Sequence, residues 1–224
     1  MKIENTKYKN IFLLNKGNRK LIVTKNLTPS KSFFKERLIK VNNIEYREFD
    51  PRRSKLAAAI VKRISEIPIK EADYVLYLGA SHGYTSSFIS DMVGDNGIIF
   101  CIDFAPRVVR DLIFVCEERN NMIPILASAN KPELYEKRIT DVNIIYQDIA
   151  KKNQVEILFK NIKFLKNKGY VILSIKSRSI DVTKNPKKIF LEVEEKLKQK
   201  MKIIDKKELD PFEKDHILFV CQKK

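Results

Sequence analysis

Apolar residues follow two different patterns along this 224-residue chain. From residue 73 onward, short and nearly continuous apolar runs alternate with longer amphipathic stretches. The runs are DYVLYL (73–78), GIIFCID (97–103), MIPILA (122–127), VNIIYQ (142–147) and GYVILSIK (169–176). Each reads as a strand buried on both faces. Between them, 84–93, 106–119, 132–138 and 153–167 read as helices, the second with Pro106 in its first turn, where a missing N–H costs little. Strands alternating with helices imply a mostly parallel sheet covered on both faces. A further helix is expected over 186–200, then strands at 201–209 and 216–221. Only DPFEKD (210–215) joins those two strands, too short a link for a parallel crossover, so they form an antiparallel hairpin. The predicted class is α/β, with five parallel strands and a terminal antiparallel pair.

Nearer the N-terminus the pattern is less regular. SKLAAAIVKRI (54–64) reads as a helix, with Ser54 as its N-cap and Pro68 beyond its end. Residues 1–50 hold β-prone runs, IFLL (11–14), RKLIVTK (19–25) and ERLIKVNNIEYREF (36–49), separated by Asn, Gly and Pro signals. Two domains are therefore expected: a small β-rich one over 1–50 that leans on its larger neighbour, and the α/β domain over 51–224.

Charge narrows the choice of partner. Lys and Arg total 44 against 28 Asp and Glu, a formal charge of +16. Such a surplus points to a polyanion, with nucleic acid first and an anionic membrane second; a proteome rich in lysine throughout gives the same surface. Cys101, Cys116 and Cys221 are far apart, each in an apolar run, and form no CxxC pair. They read as reduced core thiols of an intracellular protein, and no metal site is expected. No apolar run reaches the ~18–20 residues of a membrane helix. MKIENTKYKNIF lacks a signal peptide's apolar centre. A cytoplasmic chain without membrane contact is the expectation.

Candidate chemistry collects where the parallel strands end, the place where open α/β sheets bind ligands. GASHG (79–83) follows the first strand. It is neither a Walker loop nor a dinucleotide fingerprint, and Gly79-x-x-x-Gly83 alone is equally a plain tight turn. The second strand ends in Asp103, a carboxylate that can accept hydrogen bonds from ribose hydroxyls, or simply sit in its loop. Together the turn and the acid suggest an adenosine ligand; without pyrophosphate signals, S-adenosylmethionine fits better than a dinucleotide. Asp148, Lys176 and His216 fall at the same edge, and Lys55, less securely placed, precedes the first strand. A lysine ending a buried strand is costly unless paired. Two lysines near an aspartate can depress one another's pKa, burial pushes the same way, and a neutral amine can then take a proton from a hydroxyl; the alternative is that Lys176 reaches solvent. His82 reads as a loop residue.

Seven ordered segments carry a resemblance: YREFDPRRSKLAAAI (46–60), LYLGASHGYTSS (76–87), CIDFAPR (101–107), ILASANKP (125–132), IYQDIAKKNQ (145–154), IKSRSIDVT (175–183) and PFEKDHILF (211–219). In that order they resemble archaeal-type fibrillarin over nearly the whole chain. The resemblance implies a class I S-adenosylmethionine-dependent methyltransferase domain behind a small β-rich N-terminal domain. It implies ribose 2′-O-methylation of ribosomal RNA, and of transfer RNA, without a metal. The implied partners are a box C/D guide RNA, a Nop-family scaffold protein and a kink-turn-binding ribosomal-type protein. By position, Lys55, Asp148, Lys176 and His216 would be catalytic. The cofactor would meet Gly79, Ala80, Gly83, Tyr84, Thr85, Asp103, Phe104, Ser128, Ala129 and the run Asp148, Ile149, Ala150 and Lys151.

This chain departs from the family at four places. Tyr84 stands where Thr is usual. Ser128 replaces an Asp that meets the adenine amino group, so weaker cofactor binding is expected. Asp103 replaces the commoner Glu, and Phe49 replaces a Trp. These departures keep a second reading open, a non-catalytic RNA- and scaffold-binding subunit with a degenerate cofactor pocket. A nicotinamide oxidoreductase is disfavoured by the missing pyrophosphate loop.

Overall fold

The computed structural model describes residues 1–17 and 19–224. Five strands come first: β1 (Lys2–Asn5), β2 (Phe12–Lys16), β3 (Arg19–Lys25), β4 (Leu38–Val41) and β5 (Ile44–Glu48). They pair antiparallel in the order β1-β2-β3-β5-β4. The apolar run 36–49 is thus two strands. Asn42 and Asn43, both at positive φ, turn the chain between them, as asparagine tolerates better than most residues. Strand β1 was not anticipated, since KIEN has too little apolar pattern to mark it.

Helix α1 (Lys55–Val61) comes next, capped by the Ser54 hydroxyl, which accepts from the Ala57 N–H. Then come β6 (Tyr74–Leu78), α2 (Tyr84–Val93), β7 (Ile98–Asp103), α3 (Pro106–Glu117), β8 (Met122–Leu126), β9 (Val142–Asp148), α4 (Gln154–Asn161), β10 (Leu165–Lys176), α5 (Ser177–Ile180), α6 (Pro186–Lys198), β11 (Met201–Glu208) and β12 (His216–Lys223). The second sheet runs β11-β12-β10-β9-β6-β7-β8. Strands β8, β7, β6, β9 and β10 are parallel neighbours. Strand β12 inserts antiparallel between β10 and β11, so it alone opposes the rest.

Three expectations need correction. Residues 132–138 form two 3₁₀ turns, Pro132–Leu134 and Glu136–Arg138, divided at Tyr135. The helix expected to reach 167 stops at Asn161, and β10 already starts at Leu165. Lys168, at positive φ, and Gly169 shift the register of β10 between Leu165 and Tyr170. A side chain at Gly169 would lie 2.9 Å from the Asn143 carbonyl. The short helix α5 was not anticipated.

Period-two alternation assigns the core. On β6, Val75 and Tyr77 face one layer with Leu56 of α1, Phe88 of α2 and Leu112 of α3. Leu76 and Leu78 face the other, with Leu158 of α4 and Val193 of α6. Each fully buried side chain of this size is worth about 1.5–3 kcal/mol. The N-terminal sheet has only a small core of its own, Leu14, Val23, Ile39 and Tyr46. Its Tyr8, Ile11, Ile22 and Phe49 join the main core, where Phe49 stacks on Phe88 at 4.3 Å. All three cysteines are buried and free. Among the described residues, no helix is long and apolar enough to cross a membrane.

The two sheets are also joined by buried charge. Arg47 of β5 pairs with Glu36 at 2.7 Å and with Asp91 of α2 at 2.9 Å. Arg119 meets the other Asp91 oxygen at 2.8 Å. Thr24 Oγ1 and the Leu27 N–H also donate to Asp91. These four charged side chains are at most 1% exposed. Two cations face two carboxylates, the balance that buried ions require.

Candidate active site

The site begins with a glycine. Gly79 ends β6 at φ +84°, and a Cβ there would lie 2.4 Å from the Asp148 carbonyl oxygen. Only a residue without a side chain lets this loop close against the end of β9. Past Gly79, the Ser81 N–H donates to Asp103 Oδ2 at 3.0 Å, and the Ala105 N–H donates to Oδ1 at 3.1 Å. Two backbone donors thus fix the carboxylate at the end of β7. Gly83, at φ +96°, serves a different purpose: its open side faces Leu112 of α3 at 3.0 Å, so α2 and α3 can pack closely there.

Two cavities flank the loop. The first, of about 550 Å³, contains Gly79, Asp103, Phe104, Ser128 and Ala129, together with Asp148 to Lys151. The second, of about 710 Å³, contains Gly79, Ala80, Tyr84, Thr85 and Asp148. Gly79, Ser81 and Asp148 line both, so the cavities adjoin at the loop. Gly83 lines neither. Both volumes suit a small-molecule ligand. Phe104 projects at 62% exposure over the first, with the Lys151 ammonium 5.2 Å from its ring centre.

Of the four candidate catalytic residues, two are in direct contact. Lys55 Nζ lies 2.8 Å from Asp148 Oδ2, although 93 residues separate them. Burial pulls the Lys55 pKa down, but the charge and hydrogen bond of Asp148, helped by Glu213, outweigh it and raise the value. Mutual depression of two lysines, the expectation from sequence, therefore does not hold for Lys55. Lys176 and His216 are register partners on β10 and β12, and Asp148 pairs with Ser174 two residues away. The Lys176 side chain is exposed, not buried. Strand β10 extends past the core by one residue, so the solvent-reaching alternative is the one realised. His216 is 8% exposed, with Nδ1 2.7 Å from the Lys214 carbonyl.

Sequence reasoning missed several residues here. Gln154 clips the end of β10, its amide accepting from the Lys176 N–H at 3.4 Å and donating to the Lys176 carbonyl at 3.3 Å. Gln147 in turn donates to the Gln154 carbonyl at 2.7 Å. Both are buried glutamines, and burial is the signal that single-sequence reading lacks. Tyr84, expected against the cofactor, packs edge-on against Phe34 at 5.3 Å, with the Arg53 guanidinium 4.3 Å above its ring. Burial pushes the Tyr84 hydroxyl up to about 12. Thr85 Oγ1 donates to Ser54 Oγ at 3.0 Å and ties α2 to the start of α1. His82 is a half-exposed loop residue, with Nε2 3.6 Å from Asp111.

The fibrillarin family model matches residues 3–224. This chain belongs to the fibrillarin family. A fibrillarin-like rRNA/tRNA 2′-O-methyltransferase of Thermococcus onnurineus is 45% identical over 225 residues, covering all of both chains. That of Methanocaldococcus jannaschii is 48% identical over 216 residues, covering 95% of this chain and 94% of the relative. Among solved structures, Methanococcus jannaschii fibrillarin superposes with TM-score 0.95 at 46% identity, covering 99% of this chain and 97% of the other. Aeropyrum pernix fibrillarin with natively bound S-adenosyl-L-methionine gives 0.92 at 38%, covering 99% and 98%. The fibrillarin of a fibrillarin/Nop5p complex gives 0.88 at 38%, covering 97% and 99%. Membership of the fibrillarin family thus rests on the full length of the chain, including the N-terminal sheet.

Proposed function

We propose that this chain transfers methyl groups from S-adenosylmethionine to ribose 2′-hydroxyls of ribosomal and transfer RNA. The observation that carries the reading is the preformed Lys55–Asp148 pair at the edge of a cavity, beside a loop whose glycine lets it close against the end of β9. The first cavity would hold the cofactor, with Asp103 for its ribose, Ser128 and Ala129 for its adenine and Asp148 on the side of its sulfur. Bound there, it supplies a sulfonium methyl, an activated electrophile. Asp148, held by Lys55, fixes the edge at which the target hydroxyl arrives. Lys176 in its amine form takes the hydroxyl proton. Lys176 is exposed in the free chain, so its side chain is open to RNA laid over this edge. His216 orients the end of β10 from the neighbouring strand.

The +16 charge holds RNA phosphates without reading sequence. Pairing with a box C/D guide RNA selects the nucleotide. A Nop-family scaffold, as in the related fibrillarin/Nop5p complex, and a kink-turn-binding ribosomal-type protein complete the particle. Two domains, 1–50 and 51–224, and a cytoplasmic location complete this reading. The non-catalytic alternative has no observation in its favour beyond the Tyr84 and Ser128 departures, while the Lys55–Asp148 pair is already assembled. The test is cofactor affinity alongside transfer for Lys176→Ala. Transfer should fall by roughly 10²–10⁴-fold, the usual worth of a positioned base, with affinity unchanged. Loss of affinity instead would remove Lys176 from the proton-transfer role.

A further inference from the structure

The second cavity holds a charge that the proposed mechanism does not use. Its lining cations include Lys55, which is neutralised by Asp148 at 2.8 Å. His82 and Asp111 lie beside each other at 3.6 Å. Arg53 also lines this cavity and forms no ion pair among the described residues. Its guanidinium is held in two ways. One Nη1 hydrogen bond goes to the Phe34 carbonyl at 2.8 Å, and its plane lies against the Tyr84 ring at 4.3 Å. A guanidinium has five N–H donors, so most of the fork remains free for an anion.

The anion is identified by how the cavities join. A cofactor with its ribose at Asp103 in the first cavity can extend only past Gly79 and Asp148 to reach the second. The part that extends is the methionine tail, whose α-carboxylate is the cofactor's one anionic group. We propose that Arg53 binds this carboxylate and that the N-terminal sheet helps to place it. The second part rests on the Phe34 contact. The Phe34 N–H donates to Glu36 Oε2 at 2.8 Å, and Glu36 is locked to Arg47. The loop that aims Arg53 is therefore anchored in the buried joint between the two sheets. Tyr84 fits this scheme as the platform for Arg53, which explains why its ring turns toward Phe34 and away from the first cavity. The inference rests on the proposed cofactor seating.

Calorimetric titration separates the two. S-adenosylhomocysteine carries the tail; 5′-methylthioadenosine keeps the adenosine and sulfur but lacks the amino-carboxylate. Arg53→Ala should weaken S-adenosylhomocysteine binding by roughly 10- to 100-fold, the worth of a charge-assisted hydrogen bond. It should leave 5′-methylthioadenosine binding unchanged. Arg53→Lys, which keeps the charge but not the fork, should fall between. Equal losses for both ligands, or no loss for either, would overturn the Arg53 assignment while leaving the seating intact. Failure of the wild-type chain to bind 5′-methylthioadenosine at all would overturn the seating itself.

Discussion

Two clusters of opposite charge sit at the two ends of α2, and they differ in what they leave unspent. At the joint between the sheets, Arg47, Glu36, Asp91 and Arg119 are sealed from water, and both Asp91 oxygens accept hydrogen bonds from two donors or more. At the cavity, Lys55 and Asp148 are each about one-fifth to one-quarter exposed, and the second Asp148 oxygen has no partner among the described residues. The joint turns both Asp91 oxygens to the fold, with only the buried Arg119 Nε left unpaired among its charged groups, whereas the open pair keeps a free carboxylate oxygen for an arriving molecule. The same residue types thus serve stability in one place and chemistry in the other, with burial deciding between them.

The comparison breaks most visibly at Asp91. Asp91→Ala strands two buried guanidiniums and should cost about 3–5 kcal/mol of stability, read by denaturant unfolding; a loss under about 1 kcal/mol would place the joint with ordinary surface pairs. Lys55→Ala should do the reverse. Stability should change by no more than about 1 kcal/mol, while methyl transfer falls by roughly 100-fold or more because Asp148 is no longer held.

Stability against pH separates the clusters next. At Glu36, burial raises the carboxyl pKa, but the Arg47 charge and backbone hydrogen bonds outweigh it and leave the value below its ordinary 4.5. Its contribution is present above that pH and is lost as pH falls through the folded-state value. The Lys55 value is raised above 10.5, so its contribution is intact below that pH and lost as pH rises through the folded-state value. Glu36→Gln should flatten the acid limb of a stability profile and Lys55→Met the alkaline limb. An exchange of these effects would reverse the assignment. The smallest effect is expected at Ser128. Ser128→Asp offers a charged acceptor to the adenine amino group and should tighten cofactor binding by no more than about ten-fold; unchanged affinity would show that this position does not meet the adenine.

The parts of the molecule visible in its sequence are those where burial is uniform. Strands β6, β7 and β9 are buried on both faces and show as nearly continuous apolar runs, and α2 lies where its spacing placed it. The joint was invisible because Arg47 and Arg119, read singly, look like solvated surface. Lys176 was left undecided for a related reason: an apolar run shows that a strand is buried but not where it leaves the core. At the site, Asp148 and Asp103 were legible from their places after strands. The Lys55 contact, the Gln154 clip and the Arg53–Tyr84 stack depend on which loops meet, and spacing along one chain does not carry that.

The most direct measurement follows label from S-adenosylmethionine onto a guide-paired RNA in the reconstituted particle, beside a target carrying 2′-deoxyribose at the selected nucleotide. The account predicts label on the ribose target and none on the deoxyribose one. Equal labelling of both would move the acceptor away from the 2′-oxygen, and no labelling of either in a fully assembled particle would contradict the catalytic reading of Lys55, Asp148, Lys176 and His216.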